Sequence, residues 1–96
     1  MKTDEANGFE WDEGNREKPK KHSVETKETE EAFFDKKKLI YKDVFHSKDE
    51  ERFILLGRTK TKRLLYVVFT YRKHNVRIIS ARTINKKEVH LYEKEA

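Results

Sequence analysis

Apolar residues along the chain gather in short runs, most of them in its second half. Leu39-Ile40-Tyr41 ends at Asp43, and Phe53 to Leu56 ends at Gly57. Leu64 to Tyr71 ends in the polar Arg72-Lys73-His74-Asn75, and Val76 to Ala81 follows at once. Runs of Val, Ile, Leu, Tyr and Phe divided by short Lys/Thr/Asn-rich gaps predict strands joined by hairpins. Leu64 to Phe69 has no polar break, which predicts a central strand covered on both faces. The gap Thr59-Lys60-Thr61-Lys62 is short enough to force antiparallel neighbours. Phe9 to Trp11 is a short aromatic segment that suits an edge strand, with Trp11 as a core anchor.

Helical patterns flank these runs. Ser23 is placed to cap a helix running to about Phe34, with Glu25 near its N-terminus favoured by the macrodipole. Its apolar positions Val24, Ala32 and Phe33 are sparse, so packing must supply most of its stability. Asp12 to Lys21 is a second candidate, interrupted by Gly14 and Pro19. Asn85 is placed to cap a last helix from Lys86 toward Glu95, in which Val89 and Tyr92 share a face and Glu88 pairs with Tyr92 at i, i+4. The expected architecture is α+β: a small antiparallel sheet packed with two N-terminal helices and one C-terminal helix. Residues 1–8 read as a disordered tail and 9–96 as one domain.

Composition narrows the function classes. The 96 residues allow one core. Hydrophobic residues are 34% and charged residues 43%, so that core is thin. Cysteine is absent, which excludes disulfides and cysteine-ligated zinc and fits a reducing cytoplasm. The longest apolar run falls far short of the roughly 20 residues that span a bilayer. No apolar stretch follows Met1-Lys2-Thr3-Asp4-Glu5, so no signal peptide and no membrane partner are expected. Charge is unevenly spread: residues 1–35 hold six Lys/Arg against eleven Asp/Glu, and residues 36–96 hold seventeen against seven. Gly57 to Lys87 carries ten basic residues and no carboxylate, a pattern that favours phosphate-rich partners.

Four segments resemble the BrnT family of type II toxins. They are Phe9-Glu10-Trp11-Asp12, then Lys21-His22 before a Val24-headed helix ending Phe33-Phe34-Asp35, then Glu51-Arg52-Phe53 leading to Gly57-Arg58, and last Arg77-Ile78-Ile79-Ser80-Ala81-Arg82 followed by Glu88 and Tyr92. They occur in order over nearly the whole chain. The resemblance implies a fold similar to the RelE/ParE toxins and a ribonuclease that arrests translation. It also implies neutralisation by a BrnA-like ribbon-helix-helix antitoxin, with a toxin homodimer in the complex and DNA bound through the antitoxin. Ser23 stands where the family commonly has glycine, the residue best suited to positive φ. Thr26 and Thr29 stand where Phe and Ala are common, and Ile84 replaces a small residue.

Metal-independent RNA cleavage needs a 2′-hydroxyl deprotonated, a phosphorane stabilised and a leaving oxygen protonated. Guanidinium forks match phosphate oxygens bidentately, which makes Arg72, Arg77 and Arg82 the catalytic candidates. Strict alternation puts Arg77 and Arg82 on opposite faces, so a bulge or the strand's end must intervene if both serve one site. The competing reading has Arg77 facing solvent and Arg82 pairing with Glu88. His22 is the histidine with family support for acid–base work, and Tyr92 is a candidate proton donor or stacking residue. Lys21, Arg58, Lys60, Lys62, Arg63 and Lys73 are candidate RNA-binding cations. No glycine-rich phosphate loop and no zinc-spaced histidine pair occur, so neither a metal nor a cofactor is expected. Two functions fit: a metal-independent endoribonuclease toxin, or a non-catalytic homologue that acts in an antitoxin–DNA complex.

Overall fold

The structure, a computed structural model, describes residues 8–16, 22–46 and 50–95. Strand β1 (Phe9–Glu10) is followed by helix α1 (Thr26–Phe33), β2 (Leu39–Lys42), β3 (Phe53–Arg58), β4 (Leu64–Arg72), β5 (Asn75–Thr83) and helix α2 (Lys86–Glu95). The strands form one sheet in the order β1-β5-β4-β3-β2. The four strands read from the apolar runs make an antiparallel meander, as their short gaps demand. β1 departs from the expectation of an antiparallel sheet, because it lies parallel to β5, with Phe9 opposite Val76 and Glu10 opposite Arg77. A parallel partner needs a long connection, and here the meander itself is that connection. The result is a five-stranded mixed sheet, larger than the small antiparallel one expected.

Both faces of the sheet are covered. On one, Val24 and α1 residues Ala32 and Phe33 pack against Leu55, Leu65, Val67, Phe69, Val76, Ile78 and Ala81. Phe33 meets Phe69 edge-on, ring centroids 5.0 Å apart. Trp11 joins this cluster from its rim and donates its indole N–H to Glu30 at 2.7 Å. On the other face, Tyr92 of α2 packs on Ile54 and Leu56, flanked by Tyr41, Tyr66 and Val68. β4 is therefore the central strand that its unbroken apolar run predicts, fully buried on the α1 side at Leu65, Val67 and Phe69 and half-buried on the α2 side, where Leu64, Tyr66 and Val68 lie. α1 sits so close to β3 that a Cβ on Gly57 would lie 2.4 Å from the Ala32 carbonyl oxygen.

The helix ends are set by side chains. Ser23 does not cap α1: it adopts φ 58°, the left-handed region, where a cap needs extended backbone. Glu25 takes that place, and the Glu28 carboxylate accepts its N–H at 3.1 Å. Thr29 is fully buried under α1 and turns its hydroxyl back to the Glu25 carbonyl at 3.3 Å. Asn85 does cap α2: its Oδ1 accepts the Glu88 N–H and Glu88 Oε1 accepts the Asn85 N–H, both at 2.9 Å. Of the helix expected over Asp12 to Lys21, residues 13–16 are helical and 17–21 lie outside the described residues. Residues 1–7 of the expected tail also lie outside them, and the Gly8 carbonyl accepts the Val76 N–H at 2.8 Å. Among the described residues no helix is long and apolar enough to cross a membrane.

Candidate functional site

An irregularity in β5 brings the arginines together. Val68 lies opposite Ser80 and Phe69 opposite Ile78, which leaves Ile79 without a cross-strand partner. The extra residue resets the alternation, so Arg77 (opposite Thr70) and Arg82 (opposite Tyr66) both face the side of the sheet that α2 covers. Beside the bulge, the Asn15 amide donates to the carbonyls of Glu10 and Ile78, each at 2.8 Å. This buried side chain continues the β1–β5 ladder where β1 stops. Sequence reasoning did not single it out. Its trace is the Asp12/Asn15 spacing, since each of the two side chains accepts the other's backbone N–H.

Arg77 and Arg72 occupy the end of this face near the β4–β5 turn. Arg77 Nη1 lies 2.8 Å from both Glu10 Oε1 and Asp12 Oδ2, and its side chain is only 15% exposed. Arg72 reaches Glu10 at 3.6 Å and Glu50 at 3.8 Å. The hydrogen bond from Arg77 holds the Asp12 carboxyl below the usual carboxylate range and raises the arginine's own pKa. Two arginines of the segment without carboxylates, Arg72 and Arg77, are therefore paired with acids that the fold delivers from β1, from the turn after it and from the chain before β3.

Arg82 stands apart, at the other end of the same face. Its guanidinium forks onto Glu88, Nη1 to Oε1 at 2.9 Å and Nη2 to Oε2 at 2.7 Å. Its carbon lies 3.9 Å over the centre of the Tyr66 ring. The fork to Glu88 raises the Arg82 pKa against the opposing effect of burial. The side chain is 36% exposed, more open than Arg77. Tyr41 and Tyr66 share the patch. Burial pushes both phenols up, and both also feel the charges of Arg82, Glu88 and Asp43. The pairing of Glu88 is with Arg82 across the fold, rather than with Tyr92 along the helix.

The remaining candidates divide between two places. Arg58, Lys60, Lys62 and Arg63 surround the β3–β4 turn, at the end of the sheet where Arg82 lies. Arg58 is on the α2 face, 5.6 Å from the centre of the Tyr92 ring, and Lys60 and Lys62 are exposed. Arg63 points to the α1 side, bonded to both Glu28 oxygens at 3.1 and 3.2 Å and to the Ser23 carbonyl at 2.7 Å. His22 is exposed in the turn before α1, where its carbonyl faces Arg63 at 3.5 Å. That side of the sheet is not the side of Arg72, Arg77 and Arg82, so the fold does not unite His22 with them. Lys73 is in the β4–β5 turn, at the far end from Arg82, and Lys21 lies outside the described residues. Tyr92 is buried and donates its hydroxyl to Asp35 Oδ2 at 2.6 Å. Burial and this bond push its pKa up to about 12, which makes it a strut between α2 and the end of α1. Among the described residues no three acids or histidines are placed to hold a metal ion.

A family model described as the ribonuclease toxin BrnT of type II toxin–antitoxin systems matches residues 11–88. The chain belongs to the BrnT family. No individual curated protein matches it. The matched span runs from Trp11 to Glu88 and takes in the bulge, all three arginines and their partners Asp12, Glu50 and Glu88, while Glu10 lies just before it. As a ribonuclease toxin of a type II system, BrnT has RNA as its target and an antitoxin as its partner.

Proposed function

We propose that this BrnT is an endoribonuclease that cleaves RNA without a metal ion, with the scissile phosphate seated at Arg82. The observation that carries this reading is the geometry of Arg82: a fork already in bidentate use, stacked on Tyr66 and open to solvent. A carboxylate held this way occupies the place of two phosphate oxygens. Arg58, Lys60 and Lys62 at the same end of the sheet supply the field that draws in the strand. At the other end of the face Arg72 pairs with Glu10 and Glu50, and Arg77, enclosed by two carboxylates, holds β1 in place. A BrnA-like antitoxin would cover this basic face with acidic segments, which would also add burial to a thin core.

The test uses purified protein, labelled RNA and excess EDTA. Cleavage persists in EDTA, and Arg82→Ala lowers it about 100-fold or more, as losing one such donor costs roughly 3–4 kcal/mol. Arg82→Lys restores only part, because a point charge cannot reproduce the fork. Expression of the wild type without an antitoxin arrests growth as cellular RNA decays. A folded protein that neither cleaves RNA nor arrests growth would instead be the non-catalytic homologue. That outcome has a structural basis, since Arg72, Arg77 and Arg82 all pair with the protein's own carboxylates.

A further inference from the structure

The chemistry of cleavage needs a proton acceptor, and neither His22 nor Tyr92 is placed to be one at Arg82. The geometry points to Glu88 as the general base of this BrnT, held in reserve by Arg82 until an RNA phosphate displaces it; the assignment rests on the proposed function above. Three features support it. Glu88 is fixed at its root by the helix cap with Asn85, so its carboxylate has a defined position at the start of α2. Both its oxygens lie within 3 Å of the guanidinium nitrogens, so a phosphate on that guanidinium must sit beside the carboxylate. The surrounding groups are less suited to the task. Tyr41 and Tyr66 are phenols that burial keeps protonated, and Asp43, the second carboxylate facing them, is buried, whereas Glu88 holds both its oxygens on the partly exposed Arg82 guanidinium.

The step balances without a further reactant. The phosphate takes the Arg82 fork and frees the carboxylate. Glu88 accepts the proton of the 2′-hydroxyl, the 2′-oxygen forms its bond to phosphorus, and the bond from phosphorus to the 5′-oxygen breaks. That oxygen takes a proton from water, leaving a 2′,3′-cyclic phosphate and a 5′-hydroxyl end, and Glu88 returns its proton to solvent. Arg82 neutralises the phosphorane throughout. The resting ion pair keeps both groups oriented, and it also sets phosphate and carboxylate in competition for one guanidinium.

That competition separates Glu88 as base from Glu88 as a mere support. Glu88→Gln keeps the size of the side chain and an oxygen for the Asn85 N–H, but removes the charge and the base. Full-length Glu88→Gln should cleave RNA at least 100-fold more slowly, the low end of what a positioned base contributes. It should bind a 2′-O-methyl oligonucleotide, which cannot be cleaved, several-fold more tightly than the wild type does. Cleavage by Glu88→Gln at the wild-type rate would overturn the assignment. So would a joint loss of cleavage and of affinity for the 2′-O-methyl strand, since that marks a residue that only shapes the site. If the Gln variant does not fold, Glu88→Asp decides: the charge is kept but the reach is short, so kcat should fall with KM little changed, and an unchanged kcat would overturn the assignment. A wild type that cleaves nothing refutes the proposed function instead, and the affinity comparison still reads the competition at Arg82.

Discussion

Replacing Gly57 by alanine tests how tightly α1 is seated on the sheet. The new Cβ would lie 2.4 Å from the Ala32 carbonyl oxygen, 3.1 Å from the Ala32 carbonyl carbon and 2.9 Å from Leu55 Cδ2. A carbon rests against a carbonyl oxygen no closer than about 3.3 Å, so the end of α1 must withdraw by about 1 Å. The obstacle is backbone, and it cannot rotate aside as the tip of a long side chain would. Withdrawal also loosens Ala32 and Phe33 from the cluster they share with Leu55 and Phe69. Overpacking of this kind costs about 1–3 kcal/mol. In a domain of this size each kcal/mol lowers the melting temperature by roughly 4–8 °C, which gives a fall of about 4–24 °C. Gly8→Ala is the control, because the nearest atom to a Cβ there is 4.0 Å away. Thermal melts followed by circular dichroism measure both variants. Cleavage per folded molecule should survive in Gly57→Ala, since Arg82 lies on the opposite face. A Gly57→Ala melting point within about 2 °C of the wild type would refute the argument that α1 rests against this glycine.

Two other outcomes follow from the same contacts. Arg77→Met should lower the melting temperature by several degrees, and by more than Arg72→Met, because Arg77 ties Glu10 and Asp12 to β5 while Arg72 is more exposed; RNA cleavage per folded molecule should persist, and a loss of cleavage at unchanged stability would instead place Arg77 in the reaction. Tyr92→Phe removes the bond to Asp35 and should cost about 1.5–2 kcal/mol near neutral pH, the lower part of the range for a bond to a charged group. Burial alone would raise the Asp35 pKa, but the bonds from Tyr92 and from the N–H groups of Lys37 and Arg58 outweigh it and lower it. The Asp35 contribution is thus complete above the ordinary carboxylate range and is lost as the pH falls below about 4. Tyr92 has its pKa raised, so its contribution is complete below about pH 10 and is lost as the pH rises through about 12. Urea unfolding across this range should show the stability gap between wild type and variant closing at both ends; a gap that is constant down to pH 2.5 would exclude the Asp35 bond as its source.

Much of this protein follows from local pattern. The four apolar runs had to be strands, because short polar gaps leave β-rich segments no partner but the next one along. Asn85 and Glu88 sit three residues apart at the head of a helix, so a capping box forms without tertiary help. The resemblance over nearly the whole chain pointed to the toxin family that the matched span bears out. Ser23 was legible too, as a residue at a position suited to glycine, and it does adopt positive φ; that same conformation is why it does not cap α1. What the sequence left undecided depends on contacts between distant residues. Nothing local to Phe9 states that it will lie parallel to a strand that begins at Asn75. Alternation predicted opposite faces for Arg77 and Arg82, and one unpaired residue, Ile79, reversed that outcome, because register is set by the pairing with β4 and not by β5 alone. Charge counting found a stretch without carboxylates, yet Glu10, Asp12, Glu50 and Glu88 all reach its arginines from other elements. Coulomb energy depends on distance in space, and only the folded chain decides which charges are near.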